Sequence, residues 1–287
     1  MSVSPVYREL TYAAPDGLAL FCREYSPGSV ARTVVCLPGL TRNSRDFAPL
    51  ANVLSARYRM LTPDLRGRGN SQWDANFANY HPSVYCHDIL KLLADEVREP
   101  VAVIGTSLGG ILAMSLAAMS PERVAGIVLN DIGPELAPEG VARIRGYVGV
   151  RAAPGSWAEA TAQVKANYSQ AYPDFDDTDW LAYARASHRE REDGSVVADY
   201  DPGIGAALRA TSDRPFNFWP VWAAIQKPVL AIRGARSDLL SAATFDRMLA
   251  EKPDLLRIEV PNRGHVPLLN EPGVLVSIEA FLARVFA

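Results

Sequence analysis

A chain of 287 residues with 48% hydrophobic and 21% charged side chains can build its own core, which excludes a disordered tail, a collagen and a coiled coil. Its 29 Lys and Arg against 32 Asp and Glu leave a net charge of −3. That balance provides no field for holding a polyanion, so nucleic acid is not an expected partner.

Segments 8–12 and 18–25 flank Ala14-Pro15-Asp16-Gly17, whose proline and glycine favour a tight turn, and together they predict a hairpin. Short apolar runs then alternate with helical patterns: 33–37 and 47–55, 58–61 and 84–97, 101–104 and 108–119, followed by a run at 125–129. Strands buried on both faces read as continuous apolar runs, so this alternation predicts a mostly parallel sheet with helices on both faces. No charge falls between Glu99 and Glu122, a length that could cross a bilayer. Gly105, Thr106, Ser107, Gly109 and Gly110 break that run and Pro100 and Pro121 bound it, so it reads as strand, turn and helix, and no membrane span is expected.

From Gly133 to about Trp222 the alternation stops. This stretch is helical in tendency and carries Trp157, Tyr168, Tyr172, Phe175, Trp180, Tyr183, Phe216, Phe218, Trp219 and Trp222. It predicts a helical cap, 133–222, inserted into a core made of 1–132 and 223–287. The alternation resumes with a strand at 229–232, a helix near 242–250, a strand at 256–260 and an amphipathic helix at 274–286. The cysteines, Cys22, Cys36 and Cys86, form neither an even disulfide framework nor a close-spaced metal pair. Residues 1–8 lack the basic start and apolar run of a secretory signal, and the expected location is cytoplasmic.

The sharpest chemical signal is Gly105-Thr106-Ser107-Leu108-Gly109-Gly110 between a buried strand and a helix. A sharp strand-to-helix turn strains its central residue, so the positions two before and two after must be small. Gly105 and Gly109 meet that need, and Ser107 is lifted to a helix amino terminus, where backbone N–H groups face developing negative charge.

A serine hydroxyl needs a base and a group to orient it. His265 follows the last strand in Pro261-Asn262-Arg263-Gly264-His265, where groups on such sheets do chemistry. His81 and His87 follow no late strand, and His188, in the charged stretch 185–193, is expected on a solvated helical surface. Two aspartates keep the order serine, acid, histidine. Asp238, in the glycine-bearing loop after strand 229–232, is preferred as the acid, and Asp131, which follows Ile127-Val128-Leu129-Asn130 at the end of the strand next to the serine strand, is the alternative. Leu37-Pro38-Gly39-Leu40-Thr41 ends a buried strand, and the Leu40 and Leu108 N–H groups are the expected oxyanion donors.

These motifs, with Asp64-Leu65-Arg66-Gly67-Arg68-Gly69-Asn70-Ser71, make the chain resemble an α/β-hydrolase of the serine esterase and lactonase type. The resemblance implies the α/β-hydrolase fold: a mostly parallel sheet of about eight strands with a cap after the sixth, and acyl transfer to water without metal or organic cofactor. Pro38 stands where many members carry histidine, which leaves the Leu40 donor untouched. Asp64, Arg66, Gly67 and Gly69 are expected to pin their loop rather than to do chemistry.

Segment 40–46 resembles carboxylesterases of small esters, lactones and sometimes aliphatic polyesters, so the expected partner is a small ester or lactone. Ser107 excludes the family members with an aspartate nucleophile. Cofactor-free haloperoxidases and carbon–carbon bond hydrolases share the same three residues and stay open, as does a ligand-binding protein on this fold. The cap aromatics predict an apolar roof that favours uncharged acyl groups, with Phe216 and Trp219 the expected substrate contacts. Arg42 and Arg45 are expected in surface salt bridges.

Overall fold

The computed structural model of the protein describes residues 7–26, 32–149, 153–210 and 216–287. Residues 1–6, which carry most of the amino-terminal signal reading, and Pro215, beside Phe216, lie outside them. β1 (Arg8–Ala13) and β2 (Ala19–Tyr25) pair antiparallel across the Pro15-Asp16-Gly17 turn. β3 (Thr33–Leu37), α1 (Ala48–Leu54), β4 (Arg59–Pro63), α2 (Pro82–Glu96), β5 (Val101–Thr106), α3 (Leu108–Met119) and β6 (Val124–Asn130) then alternate as strand and helix. α2 starts where the His81 ring accepts the Ser83 N–H, and Pro82 fills the first turn, where a missing N–H costs nothing.

After β6 come α4 (Pro138–Tyr147), α5 (Trp157–Tyr168), α6 (Asp177–Ser187), β7 (His188–Glu190), β8 (Val196–Ala198), α7 (Gly203–Ala210) and α8 (Trp219–Ala224). β9 (Val229–Gly234), α9 (Ala242–Glu251), β10 (Leu256–Val260) and α10 (Pro272–Val285) complete the chain. The eight-stranded sheet runs β1-β2-β4-β3-β5-β6-β9-β10. Only the pairings of β2, with β1 and with β4, are antiparallel. Every residue of β3, β5 and β9 is buried, as expected of strands covered on both faces, whereas β10 at the edge buries only Val260 fully.

The sheet thus matches the expected alternation, and the segment between β6 and β9 adds a feature the helical reading lacks, the antiparallel pair β7–β8. The middle of that segment has a core of its own: Ala160, Val164, Tyr172, Trp180, Ala184 and Val196, with Phe175 stacked on Tyr172 at 4.5 Å. Its ends do not, since Val148, Ile204 and Trp222 join the main core. α6 begins in a capping box, Asp176 and Asp179 each accepting the other's backbone N–H.

The loop after β4 is pinned by its polar residues. Asp64, 2% exposed, accepts the Ser44 N–H at 2.6 Å and the Asn70 N–H at 2.9 Å. Gly69 has φ 54°, and a side chain there would meet the Asp64 carboxylate at 2.2 Å. The buried Arg66 guanidinium binds Asp88 at 2.6 Å, Asp74 at 2.7 Å and Asp16 at 2.8 Å, and so ties this loop to α2 and to the first turn. From it, Arg68 Nε donates to the Leu40 carbonyl at 2.9 Å and steadies the turn after β3.

Candidate active site

Adjacent strands bring the site together. At the carboxyl end of β5 the Ser107 N–H donates to the Asn130 carbonyl of β6, and the Asp131 N–H donates to the Ile232 carbonyl of β9. Ser107 sits at φ 52°, ψ −114°, and caps α3 without using its hydroxyl on the helix. The turn is this tight because β5 and α3 nearly touch. A Cβ on Gly105 would lie 2.2 Å from the Gly109 carbonyl oxygen, and one on Gly109 would lie 1.9 Å from the Leu37 carbonyl oxygen. Backbone cannot yield at that distance, so Gly109→Ala is expected to lower unfolding stability by about 3–5 kcal/mol. A shift in urea midpoint of the corresponding size checks it, and an unshifted midpoint would show that α3 can move off β3.

The His265 Nε2 stands 2.9 Å from the Ser107 hydroxyl oxygen, across 158 residues of sequence. Its Nδ1 stands 2.8 Å from the Asp131 carboxylate. Asp131, fully buried, is also held by the Gly234 N–H at 2.7 Å and by the Ser237 hydroxyl at 2.6 Å. Three hydrogen-bond partners thus surround this one buried carboxylate.

The preferred acid, Asp238, is therefore corrected: it does not reach His265. It turns outward to Arg143 of α4, whose Nη2 donates at 2.9 Å and whose Nε makes a second, shorter bond. Burial disfavours the Asp238 anion, but the hydrogen bonds and charge of Arg143 outweigh it and hold that carboxyl below its ordinary range. The loop after β9 does serve Asp131, through Ser237 and Gly234 rather than through Asp238. Sequence reasoning missed Ser237, and its signal was adjacency to Asp238 in a loop one strand from β6.

Of the expected oxyanion donors, Leu108 follows Ser107 directly at the start of α3, and Leu40 lies in the turn after β3. A Cβ on Gly39 would come within 3.9 Å of the Ser107 Cβ, so the turn after β3 closes over the serine. Among the described residues neither the Leu40 nor the Leu108 N–H has a backbone acceptor in the loops and turns, which leaves both free for a ligand oxygen. The histidine loop is held from the inserted segment. The Gly264 N–H donates to the Ala171 carbonyl at 2.8 Å, and the Tyr172 hydroxyl donates to the Val266 carbonyl at 2.7 Å.

The remaining residues singled out in the sequence fall elsewhere. His188 is not solvated: it lies in β7, 8% exposed, against Ser187 and the Ala184 carbonyl. Burial lowers its pKa, the Ala184 carbonyl restores part of that, and the Arg42 charge lowers it further. The unfolded ring protonates near the ordinary value of about 6.5 while the folded ring resists. Stability from this group is present above that pH and is lost as pH falls through the folded value. His188→Asn is expected to flatten the fall in melting temperature between pH 7 and pH 5, and an unchanged slope would remove His188 as its source.

Arg45 pairs with Asp199 at 2.6 Å, a residue only 3% exposed, so this bridge clamps the inserted segment rather than decorating the surface. Arg42 is likewise largely covered, pairing with Asp46 and lying 4.3 Å from the Tyr183 ring centroid. Phe216 stacks on Phe218 at 4.7 Å. Trp219 donates to Glu135 at 2.9 Å under the Arg247 guanidinium, 3.8 Å from the ring centroid. Both pack on the main core, and neither lines the cleft of about 190 Å³ that opens beside Thr41 and Arg42. Among the described residues no group of three His, Cys, Asp or Glu is arranged to hold a metal ion, and no helix is long and apolar enough to cross a membrane.

The profile of the alpha/beta hydrolase family matches residues 34–278, a span that takes in β3, the serine turn, the inserted segment and the His265 loop. The chain belongs to the alpha/beta hydrolase family. An alpha/beta hydrolase from Novosphingobium aromaticivorans has the same fold at a TM-score of 0.91 and 40% identity, over 98% of this chain and 100% of that one. A 3-hydroxybutyrate-oligomer hydrolase of Cupriavidus necator is 33% identical over 98% of this chain and 99% of its own. A 2-(acetamidomethylene)succinate hydrolase of Mesorhizobium japonicum is 29% identical over 84% of each chain. This alpha/beta hydrolase is accordingly an enzyme and a hydrolase.

Proposed function

We propose that this hydrolase cleaves carboxylic esters through an acyl-enzyme on Ser107. The observation that carries the reading is the unbroken relay from Asp131 through His265 to Ser107, at 2.8 and 2.9 Å. In it, His265 takes the Ser107 proton as the serine oxygen attacks the ester carbonyl, and later returns it to the departing alcohol oxygen. Asp131 fixes the ring so that Nδ1 carries a hydrogen and Nε2 presents its lone pair, and it stabilises the imidazolium that forms. The oxyanion is received by the Leu40 N–H of the turn after β3 and the Leu108 N–H at the head of α3. Water then enters the same geometry, loses a proton to His265 as it attacks the acyl carbon, and His265 passes that proton to the Ser107 oxygen as the acid departs.

The likeness to a 3-hydroxybutyrate-oligomer hydrolase over nearly the whole of both chains supports an ester of a small hydroxy acid as the substrate class. We place the domain division at the inserted segment 133–222, acting as a cap over the serine. The test is labelling with a fluorophosphonate together with a panel of esters, lactones and hydroxy-acid oligomers. An adduct on the peptide holding Ser107 and turnover of at least one ester are expected. A labelled peptide elsewhere, or no turnover across the panel, would overturn the reading.

A further inference from the structure

The cleft beside the turn after β3 has a chemistry the ester reading alone does not use. Thr41 and Arg42 of that turn form one wall, and Tyr147, Tyr168, His188 and Tyr200 of the inserted segment face them. Arg42 adjoins the site itself. A Cβ on Gly39 would lie 3.4 Å from the Arg42 Cγ and 3.9 Å from the Ser107 Cβ, so the two side chains flank one residue.

Asp46 aims the Arg42 guanidinium by accepting from Nε at 2.7 Å and from Nη2 at 2.5 Å. The Nη1 hydrogens have no protein acceptor among the described residues. Tyr147 accepts a hydrogen bond from Tyr168 at 3.0 Å, and Tyr200 accepts one from the Gly149 N–H at 3.1 Å. Each of these two hydroxyls keeps its own proton to donate. Arg191 adds a second positive charge, and no Asp or Glu lines the cleft among the described residues. The one carboxylate beside this wall, Asp46, is taken up by Arg42 Nε and Nη2, so the Nη1 edge, the tyrosine hydroxyls and the Arg191 charge are what a small anion would meet.

We propose that this cleft binds a free carboxylate on the alcohol side of the ester, with Arg42 as its anchor and Tyr147 and Tyr200 as further donors. The proposal rests on the ester reading and deepens it, because it names the substrate class as a hydroxy-acid oligomer ending in a free acid. Such an oligomer carries its carboxylate a few bonds beyond the scissile oxygen, on the leaving hydroxy acid. Seating it at Arg42 sets the register and directs cleavage to the terminal unit.

The test compares the linear dimer of 3-hydroxybutanoate as free acid with its methyl ester, and reads the ratio of the two kcat/KM values within each enzyme. Taking the ratio within one enzyme cancels differences in folded fraction. The unmodified protein is expected to favour the free acid at least tenfold, mainly through KM, and to lose that preference as salt is raised from 50 to 500 mM. Arg42→Gln should bring the ratio to about 1, Arg42→Lys should keep part of it, and Tyr147→Phe should lower it two- to fivefold. A ratio near 1 in the unmodified protein, or one unmoved by Arg42→Gln and Tyr147→Phe, overturns the anchor while leaving the ester reading in place. If neither dimer is turned over, calorimetry of the free acid on Ser107→Ala decides. Binding weakened tenfold by adding Arg42→Gln supports the anchor although the ester reading fails, and absence of binding overturns both.

Discussion

Ser107→Ala is expected to lower kcat on any ester substrate by about 10⁴–10⁶-fold, the largest effect of any single change in this protein. The hydroxyl forms the covalent intermediate, and among the described residues no other hydroxyl or thiol is paired with His265: Cys22, Cys36 and Cys86 are all buried away from it. What remains in the variant is binding and the oxyanion donors, which still act on a water held by His265. The fold should be unaffected. Ser107 keeps φ 52° through the packing of Gly105 and Gly109, and alanine can take the same backbone with no lost hydrogen bond to the helix. Steady-state kinetics with a matched thermal melt separate the two effects. Activity within about tenfold of the unmodified protein would show that Ser107 does not form the intermediate.

Asp131→Asn is expected to cost about 10⁴-fold in kcat, because an amide facing Nδ1 favours the wrong ring tautomer and cannot stabilise the imidazolium. It also leaves the Gly234 N–H and the Ser237 hydroxyl, now 2.7 and 2.6 Å from carboxylate oxygens, competing with an NH₂ group. Asp238→Asn should cost less than about tenfold. Its charge faces Arg143 at a site about a third exposed on both partners, where an ion pair contributes about 1 kcal/mol or less to stability. The two variants measured side by side give a clear reading. A larger loss at Asp238 than at Asp131 would mean that the histidine loop exchanges partners during turnover.

The serine turn was legible in the sequence because everything that makes it is local. Gly105, Ser107, Gly109 and Gly110 lie within six residues, between an apolar run and a helix, and the steric demand of that turn acts over the same short range. The parallel sheet was legible for a related reason: burial on both faces leaves continuous apolar strands such as β3, β5 and β9. His265 was reachable through the rule that chemistry collects in loops at strand carboxyl ends.

The identity of the acid was decided by the tertiary structure, since Asp131 and Asp238 both satisfy the chain order. What separates them is that β6 lies directly between β5 and β9, so the first residue after β6 stands beside Ser107, while the loop after β9 turns its fourth residue out to α4. The same holds for His188, Arg42, Phe216 and Trp219, whose surroundings are set by how the inserted segment folds back over the sheet. Spacing along a chain encodes strain and periodicity over a few residues. A contact across 134 residues, such as that between Asp131 and His265, is encoded only in the packing of the whole core.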